Sequence, residues 1–320
     1  MNIRLFLKNN IVFMILLLIL CSSILSINTF AKTYTVEELR FENSHFIKVD
    51  DVEMHYRIWK PEDKVPIGNI LLIHGLGGST FSWRKVAKEI ANLGYLVVAI
   101  DLPGFGLSQR KPAAKQSNND RANLIWKLIA DLNIPGNWHL VGHSMGGGVV
   151  AAMVLQYPFK AVSLTLVAGS FEHNSSLISK ILSRSRILRN ITGKIFARFA
   201  LSRKRIKSFL TSAYGKEPTL EEKDGYYLPL KIKNTYLTFA NLLKNYSSDK
   251  ELFGNLNTIN LPTLCIWGRD DSWVPLSQGE AVSKIISNAR FVVIERAYHC
   301  PMETHPELFN EYFTNFLPGI

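Results

Sequence analysis

The stretch Trp138-His139-Leu140-Val141-Gly142-His143-Ser144-Met145-Gly146-Gly147-Gly148 decides how this chain reads. It begins as a short apolar run of strand type, Trp138 to Gly142, and passes into a segment of helical length, Met145 to Gln156. Between the two lies G-x-S-x-G, formed by Gly142, Ser144 and Gly146. A serine on so tight a strand-to-helix turn needs neighbours without side chains, because helix and strand pass close together beneath it. Such a turn lifts the hydroxyl clear of the sheet, so the pattern in this context predicts a nucleophilic Ser144.

Outward from this turn, the same alternation of apolar run and helical segment recurs along the chain. Strands are expected at Met54 to Trp59, Asn69 to His74, Tyr95 to Asp101, Trp138 to Gly142, Val162 to Ala168, Thr263 to Gly268 and Arg290 to Ile294. Helices are expected near Trp83 to Leu93, Asp120 to Leu132, Met145 to Gln156, Ser277 to Ile286 and Pro306 to Phe316. Short Val/Ile/Leu-rich strands joined by helical crossovers predict an α/β fold: a mostly parallel central sheet with helices on both faces. The rhythm breaks after Ala168, where a gap far longer than a crossover needs separates two strong strands. Residues 171–255 therefore read as an inserted helical cap, between a first core part at 32–170 and a second at 256–320. In the cap, Ile178, Ile181, Leu182, Leu188, Ile195, Phe196 and Phe199 recur at helical spacing among basic residues. Their apolar face is free to pack on the main domain.

A serine hydroxyl is a weak nucleophile until a base removes its proton and a carboxylate orients that base. Both partners are expected downstream of Ser144. Asp271 follows the strand Thr263 to Trp267 in Gly268-Arg269-Asp270-Asp271-Ser272-Trp273-Val274-Pro275, and His299 follows the next strand in Ala297-Tyr298-His299-Cys300-Pro301. Ser144, Asp271 and His299 thus fall in the chain order Ser, Asp, His. His45, His55, His139, His173 and His305 have no such partner in the sequence and read as surface or packing residues, while His74 and His143 shape their loops.

From about Val49 to Leu317 the chain resembles the α/β-hydrolase superfamily, in the branch that carries an HG-x-G-G-S segment, a GHSMGG elbow and a GRDDxxVP acid loop. The resemblance implies that Asp271, four residues before Pro275, is the acid, with neighbouring Asp270 as backup. It implies that His74-Gly75-Leu76-Gly77-Gly78-Ser79 is the oxyanion loop, with the backbone N–H groups of Leu76 and Met145 facing the developing negative charge. Asp101-Leu102-Pro103-Gly104-Phe105-Gly106-Leu107-Ser108 and Glu303 are further matches, expected to be structural. Tyr298 departs from the glycine that most relatives carry before the histidine, and is expected to narrow the pocket. Glu172 occupies the position where some members place their acid, and stands as a rival to Asp271.

The serine argues against the dehalogenase and epoxide-hydrolase members, whose nucleophile is a carboxylate. The resemblance points to a carboxylesterase or lipase acting on lipid-like esters. Carbon–carbon bond hydrolases and perhydrolases share the motif set, and a non-catalytic binding module on the same fold is the alternative from another class. No metal or organic cofactor is implied. Cys21, Cys265 and Cys300 lack ligand-like spacing, and the last two are expected to be buried free thiols.

The chain has 320 residues, of which 47% are hydrophobic and 20% charged, so it can bury a large core and is not disordered by composition. Residues 1–31 hold Arg4 and Lys8, then the apolar run Ile11 to Leu20, and no further charge until Lys32. This reads as a signal peptide or an N-terminal membrane anchor, and predicts export. Leu20 before Cys21 argues against a lipoprotein signal. The net charge of +11 is concentrated, since His173 to Lys216 holds eleven Lys or Arg and no Asp or Glu. Such a cap could lie against an anionic membrane surface, take an acidic substrate, or be a solvated basic face. Nucleic acid is not an expected partner, because no binding motif accompanies the charge. Oligomeric state is not legible.

Overall fold

The apolar runs assemble into one eight-stranded sheet in the computed structural model, ordered β1-β2-β4-β3-β5-β6-β7-β8. The structure describes residues 32–62, 64–112, 116–171, 185–199, 202–244 and 250–317. The expected leader with Cys21, the rival Glu172, and Ile178, Ile181 and Leu182 of the cap lie outside the described residues. The strands are β1 Ser44–Val49, β2 Val52–Trp59, β3 Gly68–Ile73, β4 Tyr95–Ile100, β5 Trp138–His143, β6 Ala161–Val167, β7 Thr263–Gly268 and β8 Ala289–Ile294. Strands β3 to β8 pair in parallel, while β2 joins β1 and β4 antiparallel. The fold is the expected α/β class, extended by a strand, β1, at the antiparallel edge.

Alternation along each strand sends successive side chains to opposite faces. Leu71 and Ile73 join one buried cluster with Trp126, Val150 and Met153, while Ile70 and Leu72 join the other with Trp83, Ile90, Phe309 and Phe313. Both faces of the sheet are therefore covered, which is why strands β4, β5 and β7 are buried along their whole length. The helices Asn118–Asp131, Met145–Gln156, Leu276–Ile285 and Pro306–Thr314 form where their periodicity places them. The stretch expected as one helix near Trp83 divides into a 3₁₀ turn, Thr80–Trp83, and a helix, Ala87–Asn92.

Three histidines expected to have no partner are in fact hydrogen-bonded, His305 by its neighbour Thr304 Oγ1 at 2.9 Å and the other two across the sheet. His55 is fully buried between Ser44 Oγ at 2.7 Å and Asp101 Oδ2 at 2.6 Å. His139 meets Ser163 Oγ at 2.8 Å across β5 and β6. Burial opposes ionisation of Asp101, yet the charge and hydrogen bond of His55 hold its carboxyl below the usual range. That carboxylate also accepts from the backbone N–H of Thr80 at 2.6 Å and Leu107 at 2.7 Å. It thereby ties the loop after β3 and the loop after β4 to the antiparallel edge. This is the structural work of the DLPGFGLS turn.

Between β6 and β7 the chain runs through helices Arg186–Phe199, Arg203–Tyr214, Leu220–Tyr227, Thr235–Lys244 and Lys250–Gly254. Its middle is fastened to the core by a buried polar cluster. The Glu303 carboxylate, fully enclosed, accepts from Arg84 and from the hydroxyls of Tyr226 and, at 2.7 Å, Tyr214. Arg84 and Lys85 also reach Glu222, at 3.2 and 2.9 Å. Burial works against the Arg84 cation, but the Glu303 carboxylate outweighs it and holds the guanidinium firmly charged. Of the apolar stripe expected on helix Arg186–Phe199, Leu188 and Phe196 are exposed and Ile195 is half-buried, while Ala197 of the same helix packs against the core cluster. No helix among the described residues is long and apolar enough to cross a membrane.

Candidate active site

Five loops leave the carboxyl ends of β3, β5, β6, β7 and β8 and meet over one cavity of about 440 Å³. Crevices at this end of a parallel sheet are where α/β folds place their ligands. Ser144 stands at the end of β5 with φ +50° and ψ −119°, a left-handed conformation that a side chain other than glycine adopts only under constraint. Its backbone is held there by three hydrogen bonds: its own N–H to Val167 O at 2.9 Å, and its carbonyl from Gly147 N at 2.8 Å and Ser170 N at 3.0 Å. The glycines are required sterically. A Cβ on Gly142 would run into the backbone of Gly146, and one on Gly146 into the carbonyl of Ile73.

His299 and Asp271 form a buried pair, 3% and 6% exposed, with His299 Nδ1 donating to Asp271 Oδ2 at 2.8 Å. The other carboxylate oxygen, Oδ1, accepts from the N–H groups of Trp273 at 2.8 Å and Val274 at 3.0 Å. Asp271 is thus anchored on one side and spends its second oxygen on the imidazole. Fixing the proton on Nδ1 leaves Nε2 as the ring's acceptor, which is the tautomer a general base needs. Asp270 is exposed and its N–H bonds to Ala297 O at 2.9 Å, so it shapes the loop without reaching the histidine by any hydrogen bond of its side chain.

Ser144, His299 and Leu76 all line the cavity. Leu76 lies in the turn closed by Gly78 N to Gly75 O at 3.1 Å. Gly75 leaves room for the elbow, since a Cβ there would sit 2.9 Å from His143 Nδ1 and 3.0 Å from Ser144 Cβ. Met145 is the first residue of the helix that follows Ser144, where a backbone N–H has no helical acceptor and carries the positive end of the helix dipole.

Of the other residues at the site, His143 was expected to shape its loop and Trp273 to be core or pocket wall, whereas Phe209 and Tyr226 were not singled out from the sequence. His143 Nε2 donates to His299 O at 2.9 Å, and burial keeps the His143 ring neutral by pushing its pKa well below the usual value. The Trp273 ring lies 5.0 Å from that of His299 and 4.2 Å from Phe209, a cap residue on the cavity wall. Tyr226, also from the cap, brings its hydroxyl to 2.9 Å from Ser82 Oγ beside the cavity. Burial and the neighbouring Glu303 carboxylate raise the Tyr226 pKa well above the usual value, so it enters as a neutral phenol. Tyr298, expected to narrow the pocket, is not among the residues lining it. Its ring instead occupies the space that a Cβ on Gly215 would need, where the cap backbone turns with φ +68°. Cys265 and Cys300 are buried free thiols, and no metal-ligating cluster occurs among the described residues.

The profile of the α/β hydrolase fold family matches residues 68–306. The chain belongs to this family, and it is a hydrolase. It is 26% identical over 295 residues to a 2-hydroxy-6-oxononadienedioate/2-hydroxy-6-oxononatrienedioate hydrolase of Paraburkholderia phymatum, covering 89% of this chain and 99% of that one. It is 24% identical over 306 residues to Lipase 3 of a Moraxella species, covering 89% and 90%. The fold matches the crystal structure of a probable hydrolytic enzyme from Pseudomonas aeruginosa PAO1 with a TM-score of 0.76 at 21% identity, covering 91% of this chain and all of that one.

Proposed function

We propose that this hydrolase cleaves carboxylic esters bearing an uncharged, apolar group, through an acyl-enzyme on Ser144. In this reading Ser144 Oγ attacks the ester carbonyl, His299 Nε2 takes the proton and returns it to the leaving alcohol, and Asp271 stabilises the imidazolium. The N–H groups of Leu76 and Met145 receive the charge that develops on the carbonyl oxygen. Water, activated by the same imidazole, then releases the acid.

The observation that carries the choice of substrate is the composition of the cavity wall. Leu76, Phe209, Leu210, Ala213, Trp273 and Val274 supply apolar surface, and no Lys or Arg occurs among the described residues that line it. A 2-hydroxy-6-oxononadienedioate carries two carboxylates, and a carboxylate taken into such a wall without a cation loses its hydration unrepaid. A lipid-like ester carries no such cost. The relatives of that name keep carbon–carbon hydrolysis as the second reading.

The two separate in one experiment, in which a panel of p-nitrophenyl esters, monoacylglycerols and a dienedioate ring-cleavage product is turned over by the wild type and by Ser144→Ala. Ester hydrolysis lost in the variant supports the proposal, whereas turnover of the dienedioate alone overturns it. Labelling of Ser144 by a fluorophosphonate excludes a non-catalytic binding module.

A further inference from the structure

Helix Arg186–Phe199 lies against helix Thr235–Lys244, with Gly193 at the closest approach and Phe196 meeting Phe239 ring to ring. A Cβ on Gly193 would sit 2.5 Å from the carbonyl of Tyr236 and 3.2 Å from the Ala240 side chain, so the two helices touch there almost backbone to backbone. At 100° per residue, Ile187, Leu188 and Ile191 share one face, and Gly193 falls on the opposite one. These three side chains are 71%, 42% and 38% exposed, whereas Ile195 on the same face is half-buried and Phe196, nearer the Gly193 side, sets its ring 4.5 Å from that of Phe239. An amphipathic helix of a globular domain ordinarily turns its apolar stripe to the core. This helix turns its stripe to the outside, and a cluster of this kind marks a surface that something covers.

The charge around the stripe selects the occupant. Lys194 on the same helix, and Lys204 and Arg205 at the start of the next, are exposed. Two neighbouring cations are matched by acids, Arg203 by Asp224 and Lys207 by Glu217 at 2.6 Å. The segment as a whole nevertheless holds eleven Lys or Arg and no Asp or Glu between His173 and Lys216. A second copy of the chain would bring two such segments together and be repelled. A surface that is apolar beneath and anionic above satisfies both features at once.

We propose that the Ile187–Leu188–Ile191 face of the cap docks on an anionic phospholipid bilayer, with the stripe at the boundary of headgroups and acyl chains and the flanking cations among the phosphates. Docking is independent of the ester reading, and its test involves no turnover. The full-length chain is given Cys21→Ser and Ile187→Cys and labelled with an environment-sensitive nitrobenzoxadiazole dye. Cys265 and Cys300 are buried and stay unlabelled. Vesicles of phosphatidylcholine, alone or mixed with phosphatidylglycerol, are then added.

The expected result is a blue-shifted, brighter emission on the mixed vesicles and little change on the neutral ones. Adding Lys194→Glu and Lys204→Glu should weaken the response to mixed vesicles by roughly tenfold or more. A dye at Leu188→Cys repeats the measurement should the first labelled variant lose its circular-dichroism signature. Two outcomes overturn the proposal. In one, the chain sediments with anionic vesicles while the dye stays in water, so that another segment holds the membrane. In the other, the dye is already shielded without vesicles in a species of doubled mass, so that a second copy covers the stripe.

Discussion

Asp270 and Asp271 are adjacent carboxylates with opposite surroundings, and the difference assigns them separate parts. Asp271 is buried, takes two backbone N–H groups on one oxygen and the imidazole on the other. Asp270 is exposed. Asp271→Asn preserves volume but offers an amide in place of the acceptor that fixes the His299 tautomer. In the proposed mechanism it should lower kcat by roughly 10³ to 10⁴-fold with little change in KM, by analogy with the same change in serine proteases. Asp270→Ala should leave kcat near the wild-type value. Steady-state kinetics on a p-nitrophenyl ester decide this, and a larger loss at Asp270 would transfer the role. These positions were legible in the sequence because each stands in a loop directly after a strand, where fold and chemistry coincide. Phe209 and Tyr226 were not, since they come from cap helices whose placement over Ser144 depends on packing between distant segments. Nothing in their local pattern distinguishes them from ordinary core aromatics.

Among the secondary-structure elements, the parallel strands were legible for a physical reason that β1 lacks. Strands β3, β4 and β5 are covered on both faces and so are apolar almost throughout. Strand β1, Ser-His-Phe-Ile-Lys-Val, pairs only with β2 and buries fully only its two ends. Ser44 is buried because His55 accepts or donates a hydrogen bond there, which no hydrophobic pattern can announce. The attachment of the cap was only half legible: the resemblance marked Glu303 as structural, but its cap partners Tyr214 and Tyr226 sit in helices whose pattern gives no sign of a shared buried carboxylate. The Glu303 side chain is 0% exposed and has Arg84, Tyr214 and Tyr226 around it. Glu303→Ala would leave the Arg84 cation buried with the longer contact to Glu222 as its remaining ion pair, beside the Phe81 carbonyl at 3.1 Å, and two phenols without the carboxylate they donate to. Removing one partner of a buried pair typically costs about 3–5 kcal/mol, and urea unfolding should show a loss of that size. Arg84→Met together with Glu303→Leu, which removes both charges, should recover much of it. A single variant as stable as wild type would show that the cluster does not fasten the cap.

For the whole molecule, the buried histidines set how stability depends on pH. Burial lowers the pKa of His74 and His143, and brings His139 down to about 4. In the unfolded chain each returns to about 6.5. Between those values the unfolded state binds more protons than the folded one, so stability rises with pH and is lost as pH falls below about 6.5. Depressed carboxylates such as Asp101 act in the same direction but only at lower pH, near the ordinary carboxylate range, which leaves the window from pH 7 to 5 to the histidines. From its unfolded value down to pH 5, His139 alone accounts for a loss of about 2 kcal/mol, taking about 1.4 kcal/mol per unit over some 1.5 units. Urea denaturation at the two pH values should therefore show a lower midpoint at pH 5. His139→Gln keeps a side chain able to bond Ser163 but cannot titrate, so it should shrink the difference between the two midpoints even if it lowers both. An unchanged difference in that variant would mean that His139 takes up its proton without unfolding the sheet, and that the strands β5 and β6 around it admit water more readily than their burial implies.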